Sequence, residues 1–170
     1  MPCYVQLVIG PAASCKSRYC LTMQEHFQAL KRPLTIVNLD PAAEYFSYTP
    51  NFDIRDLVTS EDVMEELDLG PNAALIQAIE YLLTESEWME DIIEDDTYII
   101  FDCPGQIELY THLDLMVNFI AKLKSLGCHI CSVYTMDAML MLDVSKYVTS
   151  LMIATSVMVR LETPHVTILT

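Results

Sequence analysis

Apolar residues in this chain form short unbroken runs, separated by longer stretches where they recur every three or four positions. Tyr4-Val5-Gln6-Leu7-Val8-Ile9 is one such run, stopped by Gly10-Pro11, and it reads as a buried strand. From Ser17 to Leu30 no breaker occurs and the apolar spacing is helical. Leu34-Thr35-Ile36-Val37 follows Pro33 and ends at Asn38-Leu39-Asp40-Pro41; Thr97-Tyr98-Ile99-Ile100-Phe101 ends at Asp102-Cys103-Pro104-Gly105. His129 to Tyr134 and His165 to Leu169 are the fourth and fifth predicted strands, and helices are predicted over Ala73–Leu83, Leu113–Leu126 and Asp143–Leu161.

Strands that are nearly continuous apolar runs and alternate with helices predict an α/β fold, a mainly parallel sheet with helices on both faces. In such sheets ligands bind beyond the carboxyl ends of the strands. Here those ends carry Gly10, Asp40, Asp102 and Asp137, so polar residues gather on the edge where chemistry is expected. Neither an internal repeat nor a linker interrupts residues 1–170, which predicts a single domain. The last residue, Thr170, comes directly after a predicted strand, which suggests a domain incomplete at its C-terminus.

Composition narrows the options. A chain of 170 residues with 52% hydrophobic content has material for one substantial core. With 24 acidic and 9 basic residues the net charge is −15, which argues against a nucleic-acid surface, since that requires a basic face. No apolar run reaches the roughly 18–20 residues of a membrane span, and no basic-then-apolar leader opens the chain, so a soluble cytoplasmic protein with no membrane partner is expected. The six cysteines then read as reduced thiols, and Cys128-His129-Ile130-Cys131, a lone pair without further ligands, as a buried strand rather than a metal site. Five carboxylates in Ser60–Asp68 and seven in Glu85–Asp96 read as solvated helix faces or loops. Met136–Met141 and Met152–Met158 read as core filling.

Candidate chemistry starts at the first strand end. Gly10-Pro11-Ala12-Ala13-Ser14-Cys15-Lys16-Ser17-Arg18 approaches the phosphate-loop pattern G-x-x-x-x-G-K-[ST], with Cys15 where the second glycine belongs. A strand turning sharply into a helix offers backbone N–H groups and the positive end of the helix dipole to an anion. Lys16 would reach terminal phosphates and the Ser17 hydroxyl would bind Mg²⁺. The alternative is an ordinary strand–turn–helix with Lys16 and Ser17 facing solvent. Asp102, about 85 residues further on at a strand tip, stands where a Mg²⁺-linked carboxylate belongs in phosphate-loop enzymes. Gly105 and Gln106 follow it, and Asp40 ends the neighbouring strand.

Taken together, Gly70-Pro71-Asn72, Asn38-Leu39-Asp40-Pro41-Ala42 and the run from Asp102 through Gln106 and Glu108 to His112 resemble the GPN-loop GTPases, and within them one of the eukaryotic paralogues. The resemblance extends from Met1 to Thr170. It implies a P-loop NTPase fold working as a dimer, either of this chain with itself or with a paralogous GPN-loop GTPase. It further implies GTP and Mg²⁺ as cofactors. In this reading Gly10 to Arg18 and Gly105 bind the nucleotide, and Ser17 with Asp102 organise the metal. Asp40 helps activate water, Gln106 joins Gly105 as the γ-phosphate sensor, and Asn72 of the Gly70-Pro71-Asn72 dimer loop acts across the interface. A role in assembly and nuclear import of RNA polymerase II, with RNA polymerase II subunits as partners and shuttling to the nucleus, is also implied by resemblance alone.

Departures from the family pattern leave alternatives open. Ala13 and Cys15 replace glycines and Arg18 replaces a threonine in the phosphate loop, while Ala73-Ala74 replace glycines after Asn72 and should stiffen that turn. A non-glycine residue in a strained backbone conformation costs on the order of 1–3 kcal/mol. The family's guanine-reading Asn/Thr-Lys-x-Asp segment would follow Thr170, so the C-terminal part of the fold, with that segment and the last helices, is expected to be missing here. Its loss should uncover apolar surface, with instability or aggregation the expected result. The competing readings are a GTP hydrolase, an impaired copy serving only as a dimerisation module, and a phosphate-loop ATPase or small-molecule kinase. A thiol at a helix N-terminus beside Lys16 also makes Cys15 a candidate reactive cysteine.

Overall fold

A computed structural model describes residues 3–93 and 97–170. In chain order the elements are β1 (Cys3–Ile9), α1 (Lys16–Ala29), β2 (Thr35–Asn38), β3 (Phe52–Asp53), a 3₁₀ turn (Ile54–Asp56), α2 (Ser60–Leu67), α3 (Pro71–Thr84) and α4 (Ser86–Ile92). There follow β4 (Tyr98–Asp102), α5 (Glu108–Thr111), α6 (Leu115–Ser125), β5 (Cys128–Met136), a second 3₁₀ turn (Ala138–Leu142), α7 (Val144–Leu161) and β6 (His165–Leu169). The six strands form one sheet in the order β3-β2-β4-β1-β5-β6, and every pairing is parallel. All strand ends that carry candidate chemistry therefore lie on one edge.

The period-two alternation of β1 divides the core. Val5, Leu7 and Ile9 face a large apolar cluster with residues of α3 to α7, whereas Val8 packs with Ile36, Ile100 and Cys20 beneath α1. Helices thus cover both faces, as the apolar runs predict. The two-residue β3 escapes sequence reading because it is too short to show a period.

The acidic stretch of Ser60–Asp68 is largely α2, capped by Thr59 accepting from Asp62 N, with Glu61, Asp62, Glu65 and Glu66 exposed. Of the second acidic stretch, residues 94–96 lie outside the described residues. Cys128 and Ile130 are buried in β5, with His129 exposed between them.

Most methionines of Met136–Met141 and Met152–Met158 are not core filling. Met136 is buried, but Met139, Met141, Met152 and Met158 are 67%, 50%, 68% and 41% exposed. The inward stripe of α7 is Ala154, Val157 and Leu161, so its methionines occupy the opposite, outward face. Edge strand β6 likewise exposes Val166 and Leu169.

Candidate functional site

The loop from Gly10 to Cys15 links β1 to α1 and is shaped by close packing. Gly10 has φ +146°, and a β-carbon there would lie 2.6 Å from the Thr135 carbonyl oxygen, which excludes any side chain. Ser14 is buried; its hydroxyl donates to the Pro11 carbonyl at 2.7 Å and meets the Thr135 hydroxyl at 2.7 Å. Ala13 and Cys15 have φ +61° and +58°, left-handed values suited to glycine. The chain therefore keeps a glycine-type path through two residues that carry β-carbons. Hydrogen bonds of Ser14 to Pro11 and Thr135 hold that path. Cys15 is the N-cap of α1 and faces solvent, away from the cavity beside the loop, whereas Ala13 lines it.

That cavity measures about 230 Å³, and Lys16, Ser17, Asp40, Asp102, Gly105 and Gln106 share it with Ala12 and Ala13. Gly10, Pro11, Ser14 and Cys15 shape the loop without lining the cavity, and Arg18 is exposed on α1 outside it. The Lys16 ammonium donates to the Gly10 and Pro11 carbonyls at 3.2 and 3.0 Å. Burial lowers its pKa, opposed chiefly by the negative charge of Asp102.

Asp102 ends β4 and is 4% exposed. Its Oδ2 accepts from the Ser17 hydroxyl at 2.8 Å and from the Tyr48 hydroxyl at 2.9 Å, while its Oδ1 is buried without a protein partner. Burial raises the Asp102 pKa, offset by the two hydroxyl donors and Lys16. Burial also raises the pKa of Asp40, whose Oδ1 accepts from the Ala42 N–H at 3.0 Å. Buried Asn38 joins the Asp40 segment to β3, donating to the Asp40 carbonyl at 3.0 Å and to Asp53 Oδ1 at 2.9 Å. A β-carbon on Gly105 would lie 2.9 Å from Ala12 Cα, so the residues after Asp102 press directly on the phosphate loop. Gln106 Oε1 is buried and unpartnered.

This donor set fits a hard divalent cation bound mainly through phosphates. Mg²⁺ takes few protein oxygens and completes its shell with water and substrate phosphate. Ser17 and the unpartnered Asp102 Oδ1 are suitable oxygens. Among the described residues no group of three or more His, Cys, Asp or Glu is placed to hold a metal by itself.

Gly70-Pro71-Asn72 is a helix start rather than a turn. Gly70 is the N-cap of α3 and Pro71 opens its first turn, because proline's fixed φ suits that position and Ala73-Ala74 continue the helix readily. All three residues are exposed. Asn72 lies outside the cavity beside the Gly10–Cys15 loop but lines a neighbouring one of about 110 Å³, which Gln106 also borders.

Sequence reading missed Asn38, Phe46, Tyr48, Arg55 and Thr135. Asn38 carried a signal, as a polar residue at a strand end. The others reach the site by tertiary contact: Arg55 pairs with Asp53, donates to the Ala43 carbonyl and stacks over the Phe46 ring at 4.6 Å.

Residues 8–170 match a protein family described as a conserved hypothetical ATP binding protein. Relatives named GPN-loop GTPase 3 are 47% identical in Dictyostelium discoideum, 49% in Danio rerio and 46% in Saccharomyces cerevisiae, over 98%, 100% and 96% of this chain. The chain spans 59%, 61% and 61% of their respective lengths. The crystal structure of a GTPase in apo form from Pyrococcus abyssi superposes with a TM-score of 0.78 at 24% identity, covering 96% of this chain and 65% of that one, which shows the P-loop NTPase fold. With a family match running from β1 to the last residue and relatives identical at nearly half of all positions, this chain belongs to the GPN-loop GTPases.

Proposed function

We propose that this chain binds GTP together with Mg²⁺ in the cavity between the phosphate loop and Asp102, and hydrolyses it. The observation that carries the reading is the Ser17–Asp102 pair beside Lys16: all three residues line one cavity with the phosphate loop, and Asp102 Oδ1 is buried without a protein partner. Lys16 would exchange its two carbonyl contacts for phosphate oxygens, and the N–H groups at the start of α1 would supply further donors. Mg²⁺ bound at Ser17 and Asp102 would supply positive charge against the phosphate oxygens. Asp40 would orient the attacking water, and the Gly105 N–H with the Gln106 amide would meet the γ-phosphate. Guanine as the base is supported by the names of the relatives; the family description, which speaks of ATP, favours adenine instead.

The reading extends to a dimer, of the chain with itself or with a paralogous GPN-loop GTPase, in which Asn72 reaches the other subunit's site. The exposure of Gly70-Pro71-Asn72 supports that placement. A part in assembly and nuclear import of RNA polymerase II belongs to the same proposal and rests on the resemblance. Phosphate release from GTP and from ATP, with the chain alone and mixed with a paralogue, tests it. Release faster from GTP and lost in Gln106→Ala is expected; none from either nucleotide in either mixture would reject hydrolysis.

A second reading, a dimerisation module that does not hydrolyse, is favoured by the left-handed Ala13 and Cys15. Cys15→Gly separates the two. Hydrolysis that appears only with glycine supports the impaired-copy reading, and equal rates remove the loop as its cause.

A further inference from the structure

The segment between β2 and β3 carries Asp40 and crosses back to place Tyr48 against the metal carboxylate. Tyr48 is 5% exposed and packs with Val8, Cys20, Ile36 and Ile100 under α1. Its ring lies 5.4 Å from that of Phe46, which itself lines the phosphate cavity. Arg55 clamps this segment from outside, over the Phe46 ring at 4.6 Å and on the Ala43 carbonyl at 2.8 Å. The Tyr48 hydroxyl is therefore held in place by packing on both sides.

Two hydroxyls, of Tyr48 and Ser17, donate to the same oxygen of Asp102 at 2.9 and 2.8 Å. Two donors fill the hydrogen-bonding capacity of one carboxylate oxygen. Oδ2 is thereby saturated, the carboxylate cannot turn without breaking both bonds, and the buried Oδ1 is the oxygen left without a protein donor. A phenylalanine would fill the same apolar pocket, so packing accounts for the ring but not for the hydroxyl.

We propose that Tyr48 is a positioning residue of the metal–nucleotide site: its hydroxyl fixes the Asp102 carboxylate so that Oδ1 is presented to Mg²⁺ or to a water on it. The same bond ties the Asp40-bearing segment to the metal side of the cavity, so metal loading and the placing of Asp40 are coupled. This inference rests on the proposed reading of the cavity as a Mg²⁺–nucleotide site.

The test is the affinity of the purified chain for a fluorescent GTP analogue, measured in Mg²⁺ and in EDTA, for the wild type and Tyr48→Phe. Losing one hydrogen bond to a charged group predicts that the ratio of the two affinities falls about tenfold in the variant. A ratio equal to that of the wild type, in a variant that melts as the wild type does, overturns the proposal and reduces Tyr48 to packing. If the variant does not fold, amide hydrogen exchange of the wild type decides: exchange over residues 40–48 should slow when Mg²⁺ is added to the nucleotide-bound chain. Unchanged exchange there overturns the coupling. A wild-type chain that binds no nucleotide in either medium removes the site reading and this inference with it, whereas failure of Tyr48 alone leaves the wild-type Mg²⁺ response in place.

Discussion

The phosphate loop and the Gly70-Pro71-Asn72 helix start both contain a glycine, but only one of them needs it for reasons internal to this chain. At Gly10 the backbone sits at φ +146° and the space for a β-carbon is filled by Thr135. At Gly70 the φ is −74°, and a β-carbon would meet nothing within 4 Å. The first glycine is explained by packing inside the fold. The second is not explained by packing; inside the chain it is favoured only by the mild N-cap preference for glycine over alanine, which leaves the exposed loop free to serve a contact from outside. Exposure of Gly70, Pro71 and Asn72 agrees with that difference.

The largest expected effect follows from the inner loop. Gly10→Ala places a β-carbon in contact with Thr135 and strains a backbone no alanine favours, and should cost about 3 kcal/mol or more of stability. Thermal unfolding of the variant checks this, and a melting temperature equal to that of the wild type would break the packing side of the comparison.

Next in size is Lys16→Ala, which should weaken nucleotide binding about 10- to 100-fold, as expected for loss of charge-assisted bonds to phosphate. Equilibrium binding of labelled GTP reads it directly.

Cys15→Gly should act in the opposite direction. Relieving one left-handed non-glycine residue stabilises the fold by about 1–2 kcal/mol, less the roughly 0.5–1 kcal/mol that glycine costs in chain entropy. A rise of about 1–4 °C in melting temperature is expected. No rise would show that the strain at Cys15 is no larger than the chain-entropy cost of glycine.

Smallest is Gly70→Ala, expected to cost no more than about 1 kcal/mol, the ordinary difference between glycine and alanine at an N-cap, by the same melting assay. A large destabilisation would show that the helix start is constrained from inside the chain after all, and would erase the contrast with Gly10.

Those residues also mark how far the sequence could be read. Lys16, Ser17, Asp102, Gly105 and Gln106 were legible because their spacing along the chain mirrors the phosphate-loop chemistry, and the parallel sheet brings every strand end to one edge. Tyr48, Phe46 and Arg55 were not, because they lie on or after an irregular segment with no period, and reach the site only through the fold. The strands beside the site were legible as apolar runs, whereas the acids of α2 and α4 marked a solvated face without deciding between helix and loop. The outward methionines of α7 were misread because richness in methionine does not say which face of a helix is inside; the stripe of Ala154, Val157 and Leu161 does. The left-handed conformations of Ala13 and Cys15 give physical content to the glycine-to-alanine and glycine-to-cysteine departures.

On the proposed reading, the cavity beside Lys16 and Asp102 is a Mg²⁺–nucleotide site. Titrating the purified chain with a fluorescent GTP analogue, in Mg²⁺ and again in EDTA, tests it most directly. Saturable binding that tightens with Mg²⁺ and is displaced by unlabelled GTP is the predicted result. No saturation up to millimolar nucleotide in either medium would contradict it.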